Sequence, residues 1–322
     1  MKEGAVMLKE KTIPVYVKSI IQETPQVKRF ILAPVEETSL PAFSAGSHIT
    51  TYIDGKERNY SLTNHPDTKD SYQIAIRLSE SSTGGSLYWH QEVKVGDKLK
   101  ISYPRNHFPL SFKAKHHVFY AAGIGVTPFI SMMLELKDQG SSFELHYAAR
   151  SKELGAFYDF LRANFPHESH FYFSKGNEAK RLRETTLLEH RIGTHVYFCG
   201  PDSFMTDFTE AAIRFGYPRS SIHLERFAPP RPKNAASFQA QLTRGAVIHV
   251  EKDQSLLDAL LEAGVQAPYS CRVGRCGTCE LRVVDGGVDH YDSFLSEQQQ
   301  NAQNVILTCV SRAKSGKLVI DF

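Results

Sequence analysis

From residue 12 to residue 111, apolar and polar positions alternate in short runs: Val15–Val17, Arg29–Leu32, Ile49–Ile53, Tyr72–Leu78 and Lys98–Ser102. A period of two turns one side of each segment toward a core and the other toward water, which predicts β-strands. Asp54-Gly55 sits between two such runs and reads as a tight hairpin turn. Many short strands with little helical pattern predict a small antiparallel β-barrel.

From about residue 112 the period changes. His117–Ala121 is an apolar strand, followed by a glycine-rich turn and a helical pattern over Phe129–Lys137. Strands over Phe143–Ala149, His170–Phe173 and His195–Cys199 then alternate with helices near Ala156–Phe165, Arg183–His190 and Phe204–Phe215. This alternation predicts a parallel sheet with helices on its faces. The proline-rich stretch APPRPKNAA, Ala228–Ala236, reads as an extended spacer. The expected organisation is a barrel over 1–111, an α/β domain over 112–228, a linker over 229–236 and a small domain over 237–322. The run Gln298–Gln300 reads as a solvated helix face.

Composition narrows the class. At 322 residues the chain is too long for one ordinary core. Its 41% hydrophobic and 23% charged residues are those of a water-soluble protein, and no run reaches the ~18 apolar residues of a membrane span. The N-terminus, MKEGAVMLKEKT, lacks the apolar stretch of a signal peptide. Five cysteines in a chain of this length do not suggest a disulfide framework, so a reducing, cytoplasmic location is expected. A net charge of +3 gives no basis for nucleic-acid binding, and no membrane association is expected.

Five segments carry candidate chemistry. Arg58, Tyr60 and Ser61 follow the hairpin; Arg58 suits a forked contact with phosphate, Tyr60 can cover a flat ring, and Ser61 can bond a ring nitrogen. Alone, this stretch reads rather as an ordinary exposed strand with polar residues. Thr83, Gly84, Gly85 and Ser86 have the texture of a phosphate cradle or of a flexible loop. Gly123, Gly125, Thr127 and Pro128 lie between a strand and a helix, where a pyrophosphate can approach; Thr127 can cap the helix and Pro128 suits its first turn. Cys199, Gly200 and Pro201 end a later strand of the same sheet, at the edge where open α/β sheets bind ligands. Finally, Cys271, Cys276 and Cys279 form C-x4-C-x2-C with Cys309 following, the ligand spacing of a plant-type [2Fe–2S] cluster. A structural zinc site is the competitor, but zinc ribbons show two separated C-x2-C pairs. The histidines, His116-His117 included, show no ligand spacing and read as surface or core residues.

A nicotinamide delivers two electrons as a hydride, whereas a [2Fe–2S] cluster accepts one; a flavin placed between them resolves the mismatch. Taken together, RNYSLTN, STGGS, AAGIGVTP, CGPDSFM, IHLERF and the cysteine set resemble the phthalate dioxygenase reductase family of the ferredoxin–NAD(P)+ reductase superfamily, from end to end. The resemblance implies a multidomain protein with an antiparallel β-barrel flavin domain, an α/β parallel-sheet nicotinamide domain and a β-grasp plant-type ferredoxin domain. It implies FMN rather than FAD, held by Arg58, Tyr60, Ser61, Ile76, Arg77 and the Thr83–Ser86 loop. The family often has an arginine where this chain has Thr83, which turns attention to Arg77 for a phosphate contact. Ser61, Thr127, Cys199 and Phe227 would serve the hydride step, with Phe227 stacked on the flavin. NADH is favoured over NADPH by resemblance, while Arg150, Ser174-Lys175 and Arg181 leave a 2′-phosphate site open. The implied partner is a terminal oxygenase of Rieske type, with a cytochrome P450 or another monooxygenase as the alternative. It would be engaged by transient docking of the ferredoxin domain of a monomer. The competing class is a cluster-carrying adaptor with degenerate flavin and nicotinamide sites.

Overall fold

Alternating segments of the first hundred residues pair as an all-antiparallel sheet in the order β4-β3-β6-β1-β2-β5. Its strands are β1 (Thr12–Thr24), β2 (Val27–Pro34), β3 (His48–Ile53), β4 (Lys56–Ser61), β5 (Tyr72–Arg77) and β6 (Lys98–Ser102). An antiparallel bridge between Leu62 and Ile74 joins the two edges and closes the barrel. The computed structural model describes residues 11–36, 39–79, 84–176, 179–230, 232 and 235–322. Asp54 and Gly55 both have positive φ, the conformation a two-residue hairpin turn demands. Val15, Val17, Phe30, Leu32, Ile49 and Ile74 fill the interior, and Trp89 of α1 (Gly85–Gln91) packs edge-on to Phe30.

The second sheet is parallel, in the order β11-β10-β7-β8-β9. It comprises β7 (His116–Ala122), β8 (Phe143–Ala149), β9 (Ser169–Phe173), β10 (Thr194–Cys199) and β11 (Ile222–Glu225). Helices α2 (Thr127–Asp138), α3 (Tyr158–Asn164) and α4 (Asp202–Arg214) connect them. Residues of β7 alternate between two cores: Phe119 and Ala121 join Phe129 and Leu136 on one face, while Val118 and Tyr120 join Val196 and Phe208 on the other. The helix expected near Arg183–His190 is instead a short 3₁₀ stretch, Glu184–Glu189. Thr186 donates its hydroxyl back to the Arg183 carbonyl (2.8 Å), a local bond that competes with α-helical pairing.

Barrel and parallel sheet share a core. Val27, Ala45, Ala75 and Phe108 belong to the same cluster as Phe119, Phe129 and Leu145. The amides of Ala45 and Gly46 donate to Glu135 Oε2 and Ser131 Oγ of α2, both at 3.1 Å. The Ser111 amide donates to the hydroxyl of Tyr197 on β10 (2.8 Å). The chain divides into two compact units after Glu225, so both sheets lie in the first.

The second unit, Arg226–Phe322, has its own core. Its five-stranded sheet runs β13-β12-β18-β14-β16: β12 (Phe238–Leu242), β13 (Val247–Val250), β14 (Glu280–Asp285), β16 (Val305–Leu307) and β18 (Lys317–Ile320). Its first and last strands, β12 and β18, pair in parallel, and the other pairings are antiparallel, the arrangement of a β-grasp. A small ribbon joins β15 (Val288–Asp289) to β17 (Arg312–Ala313). Helix α5 (Leu256–Glu262) buries Leu256, Leu257 and Leu260 in the core. Helix α6 (Glu297–Ala302) buries no residue and opens with a capping box between Ser296 and Gln299. Among the described residues, no helix is long and apolar enough to cross a membrane.

Candidate functional site

Strand β4 leads from the hairpin to one candidate site. Its period of two places Lys56, Arg58 and Tyr60 on a common side. A Cβ at Gly84 would lie 2.6 Å from Lys56 Nζ, and one at Gly85 would lie 3.0 Å from Arg58 Nε. Two cations therefore converge on the start of α1. Thr83 lies outside the described residues. Ser86 Oγ accepts from the Ser79 amide (3.1 Å), and Tyr60 packs edge-on to Trp89 with ring centroids 6.0 Å apart. Burial, opposed weakly by Arg58, holds the Tyr60 phenol above its ordinary pKa, so it stays a neutral hydrogen-bond donor. Ser61 is buried at the end of β4. Ile76 is buried in the barrel, and its carbonyl pairs with His90 Nε2 (2.8 Å); Arg77 is exposed at the end of β5. Sequence reading missed Lys56, although alternation along β4 already carried the signal. It also missed Trp89, whose buried indole N–H has no partner among the described residues.

The second place is the C-terminal edge of the parallel sheet. The chain runs outward from β7 to β8 and β9, then returns to place β10 on the other side of β7. That reversal opens a crevice at the ends of β7 and β10. Gly123 and Gly125 form the turn after β7, and Cys199 ends β10 with Gly200 and Pro201 following, Ala121 and Cys199 being in register. The two turns meet so closely that a Cβ on Gly125 would collide with the Cys199 carbonyl. Only glycine permits this approach. Thr127 begins α2 but does not cap it: the preceding turn is already helical, so the Thr127 hydroxyl donates to the Ile124 carbonyl (3.0 Å). Pro128 occupies the first turn of α2, as its sequence position suggested. Thr127 and Cys199 are both buried. The segments after β8 and β9 lie side by side, the Lys175 amide donating to the Arg150 carbonyl at 2.9 Å. Phe227 follows β11 and exposes about half of its surface.

The third place is the loop from Cys271 to Cys279, with Cys309 after β16. Sγ atoms of Cys279 and Cys309 are 3.3 Å apart; Cys276 Sγ accepts from the Cys271 amide (3.5 Å) and Cys271 Sγ from the Arg275 amide (3.4 Å). Amides aimed at sulfur stabilise thiolates and reduced clusters. A hydrogen bond from Cys271, opposed by burial, lowers the Cys276 thiol pKa from its ordinary value. A bond from Cys309, likewise opposed by burial, lowers the Cys279 thiol pKa. Arg272, Gly274 and Gly277 all have positive φ, which coils the loop. A Cβ at Gly277 would enter the ring of Phe294. Arg272 is anchored to Asp258 of α5 (2.9 Å). Four mostly buried sulfurs among inward-pointing amides are a donor set that fits a [2Fe–2S] cluster. Likewise, paired cations beside a neutral tyrosine fit a flavin phosphate and ring.

Known proteins match the same regions. The 2Fe-2S iron-sulfur cluster binding domain family matches residues 241–314, and the N-terminal domain of dimethylamine monooxygenase subunit DmmA-like proteins matches 100–222. The solved structure of phthalate dioxygenase reductase, described as a modular structure for electron transfer from pyridine nucleotides to [2Fe–2S], superposes with a TM-score of 0.75. It is 30% identical, with 97% of this chain and 98% of that chain covered. Fold and matches define an NAD(P)H-dependent oxidoreductase that works through a flavin and a [2Fe–2S] cluster. Among curated relatives, the heme-dependent oxidative N-demethylase beta subunit of Ectopseudomonas mendocina is 40% identical over 96% of this chain and 98% of its own length. The vanillate O-demethylase oxidoreductase of Acinetobacter baylyi is 39% identical over 95% and 98%. The chain belongs to the phthalate dioxygenase reductase-like family.

Proposed function

We propose that this protein is the reductase component of an oxygenase system, passing electrons from NADH through FMN and the cluster to a Rieske-type terminal oxygenase that demethylates or hydroxylates a small organic substrate. The observation that carries the reading is near full-length similarity to proteins named as demethylase oxidoreductase and demethylase subunit. The organisation assigned is flavin barrel 1–111, nicotinamide domain 112–228, linker 229–236 and ferredoxin domain 237–322. A monomer docking transiently through the ferredoxin domain, in the cytoplasm, completes the reading; cluster thiolates need a reducing compartment.

When bound, the flavin takes a hydride and returns single electrons, and the cluster carries them one at a time. Lys56 and Arg58 would hold the flavin phosphate over Gly84–Ser86, and Tyr60 and Ser61 would orient its ring. Gly123–Pro128 and Cys199–Pro201 would seat the nicotinamide nucleotide at the sheet edge, where the close approach of Gly125 to Cys199 fixes the width of the crevice. Cys271, Cys276, Cys279 and Cys309 would ligate the cluster. Replacing Cys276 with Ser should leave NADH-driven bleaching of the flavin intact and reduce cytochrome c reduction to background. Undiminished cytochrome c reduction by the cluster-free variant would sink the serial path.

A second reading has a haem oxygenase as recipient. It is favoured by the Ectopseudomonas relative, the beta subunit of a heme-dependent oxidative N-demethylase. Offering this protein and NADH to a purified Rieske oxygenase and to a purified haem oxygenase, and recording which chromophore is reduced, distinguishes the two readings.

A further inference from the structure

The parallel sheet does something with histidines that their spacing in sequence hid. His116 opens β7, Glu144 is the second residue of β8, and His190 follows the 3₁₀ stretch that crosses the same face. Glu144 Oε1 lies 3.3 Å from His116 Nε2 and 2.8 Å from His190 Nδ1. All three potential ligand atoms fall within 4.8 Å of one another. With metal–nitrogen distances of about 2.0–2.1 Å, ligand atoms of a zinc tetrahedron stand roughly 3.3 Å apart, so little movement would close these three on an ion.

Each imidazole is also held from behind. His116 Nδ1 pairs with Ser142 Oγ and His190 Nε2 with the Tyr120 hydroxyl, both at 2.8 Å. Such outer bonds fix the tautomer and ring orientation of metal-ligating histidines. Across the carboxylate, Glu144 Oε2 faces His170 Nε2 at 3.5 Å and His146 Nε2 at 3.9 Å. The His146 nitrogen is buried without a hydrogen-bond partner among the described residues. One carboxylate is thus ringed by four imidazoles. Neutral imidazole plus carboxylate is the donor set that zinc and its neighbours select.

We propose that His116, Glu144 and His190 form a binding site for one divalent transition-metal ion, zinc in the first instance, with a position left for water or a small anion. Glu144 also borders a cavity of about 600 Å³ on the side of His146 and His170, with Tyr172, Lys180 and Arg183 in its wall. The site lies at the N-terminal ends of β7 and β8, whereas the nucleotide-binding turns follow their C-terminal ends. The metal is therefore a structural tie: it fastens the segment before β10 to the sheet and takes no part in hydride transfer.

The test uses the flavin- and cluster-loaded protein, equilibrated with zinc and then dialysed free of excess. Metal analysis should find one zinc per chain with cluster iron unchanged, and the zinc-edge X-ray absorption spectrum should show only nitrogen and oxygen neighbours. Glu144→Gln and His116→Gln should each weaken zinc binding at least tenfold while retaining iron and flavin. In the parent, excess zinc should raise the unfolding midpoint of the flavin-bearing unit, and in Glu144→Gln it should not. His170→Gln, altering the opposite side of the carboxylate, should bind zinc as the parent does. Absence of zinc uptake, sulfur in the zinc shell, or variants that bind like the parent with iron intact would each overturn the proposal.

Discussion

At the scale of single residues, Lys56 separates what a strand pattern contains from what is noticed in it. Arg58 stands out because arginine suits phosphate, whereas Lys56 stands two places earlier and reads as a turn lysine paired with Asp54 (3.0 Å). The fold brings its ammonium over Gly84, and Lys56→Ala should weaken flavin retention by about 10- to 100-fold, in line with the ~1.5–3 kcal/mol of a hydrogen bond to a charged group. Fluorescence of released flavin during dialysis measures this directly, with cluster iron expected to stay constant. The cysteines were legible because three of them share one loop, so spacing alone implied a common ligand. His116, Glu144 and His190 were not, since their meeting depends on strand order and register, which no local spacing encodes. The capping role expected of Thr127 failed for a local reason: the turn before it is already helical, leaving its hydroxyl a nearer carbonyl.

At the scale of elements, strand positions followed from alternation and apolar runs, since both come from burial. The 3₁₀ stretch at Glu184–Glu189 did not, because a threonine hydroxyl and tertiary contacts decided it. Neighbouring strands also place histidines against each other. His195 Nδ1 of β10 lies 2.9 Å from His223 Nε2 of β11, with the rings stacked. Burial, aided by the charge of Lys113, lowers the His195 pKa from its ordinary value. A depressed pKa in the folded protein means that the unfolded chain binds the proton more readily. Its contribution to stability is therefore complete above the unfolded value of about 6.5 and is lost as pH falls toward the folded value. Urea midpoints measured from about pH 8 down to about pH 5 should decline, and His195→Asn should flatten that decline by less than one proton's worth.

At the scale of the whole molecule, one core serves two sheets. Phe108 at the foot of the barrel packs against Phe129 and Tyr197, with centroids 5.9 and 5.8 Å apart, and His65 reaches Asp138 at 3.0 Å. Change of pattern near residue 112 was visible in the sequence; the shared burial across it was not, because periodicity reports that a face is covered and not by what. Calorimetry should accordingly show barrel and parallel sheet melting in a single transition, with a second transition for residues 226–322. Cys276→Ser should lower the second and leave the first in place. Resolution of three transitions would show that the joint core is weaker than its packing implies.

That joint core sets rules for anyone who would rewire this protein. A chimera spliced near residue 112 would pull Phe108 and Gly46 away from the α2 and β10 surfaces they complete, exposing greasy faces on both halves. A graft made beyond Phe227 would leave both packed interiors and that aromatic residue in place, so the electron outlet can be exchanged as a cartridge, while the hydride-handling half must be transplanted in one piece.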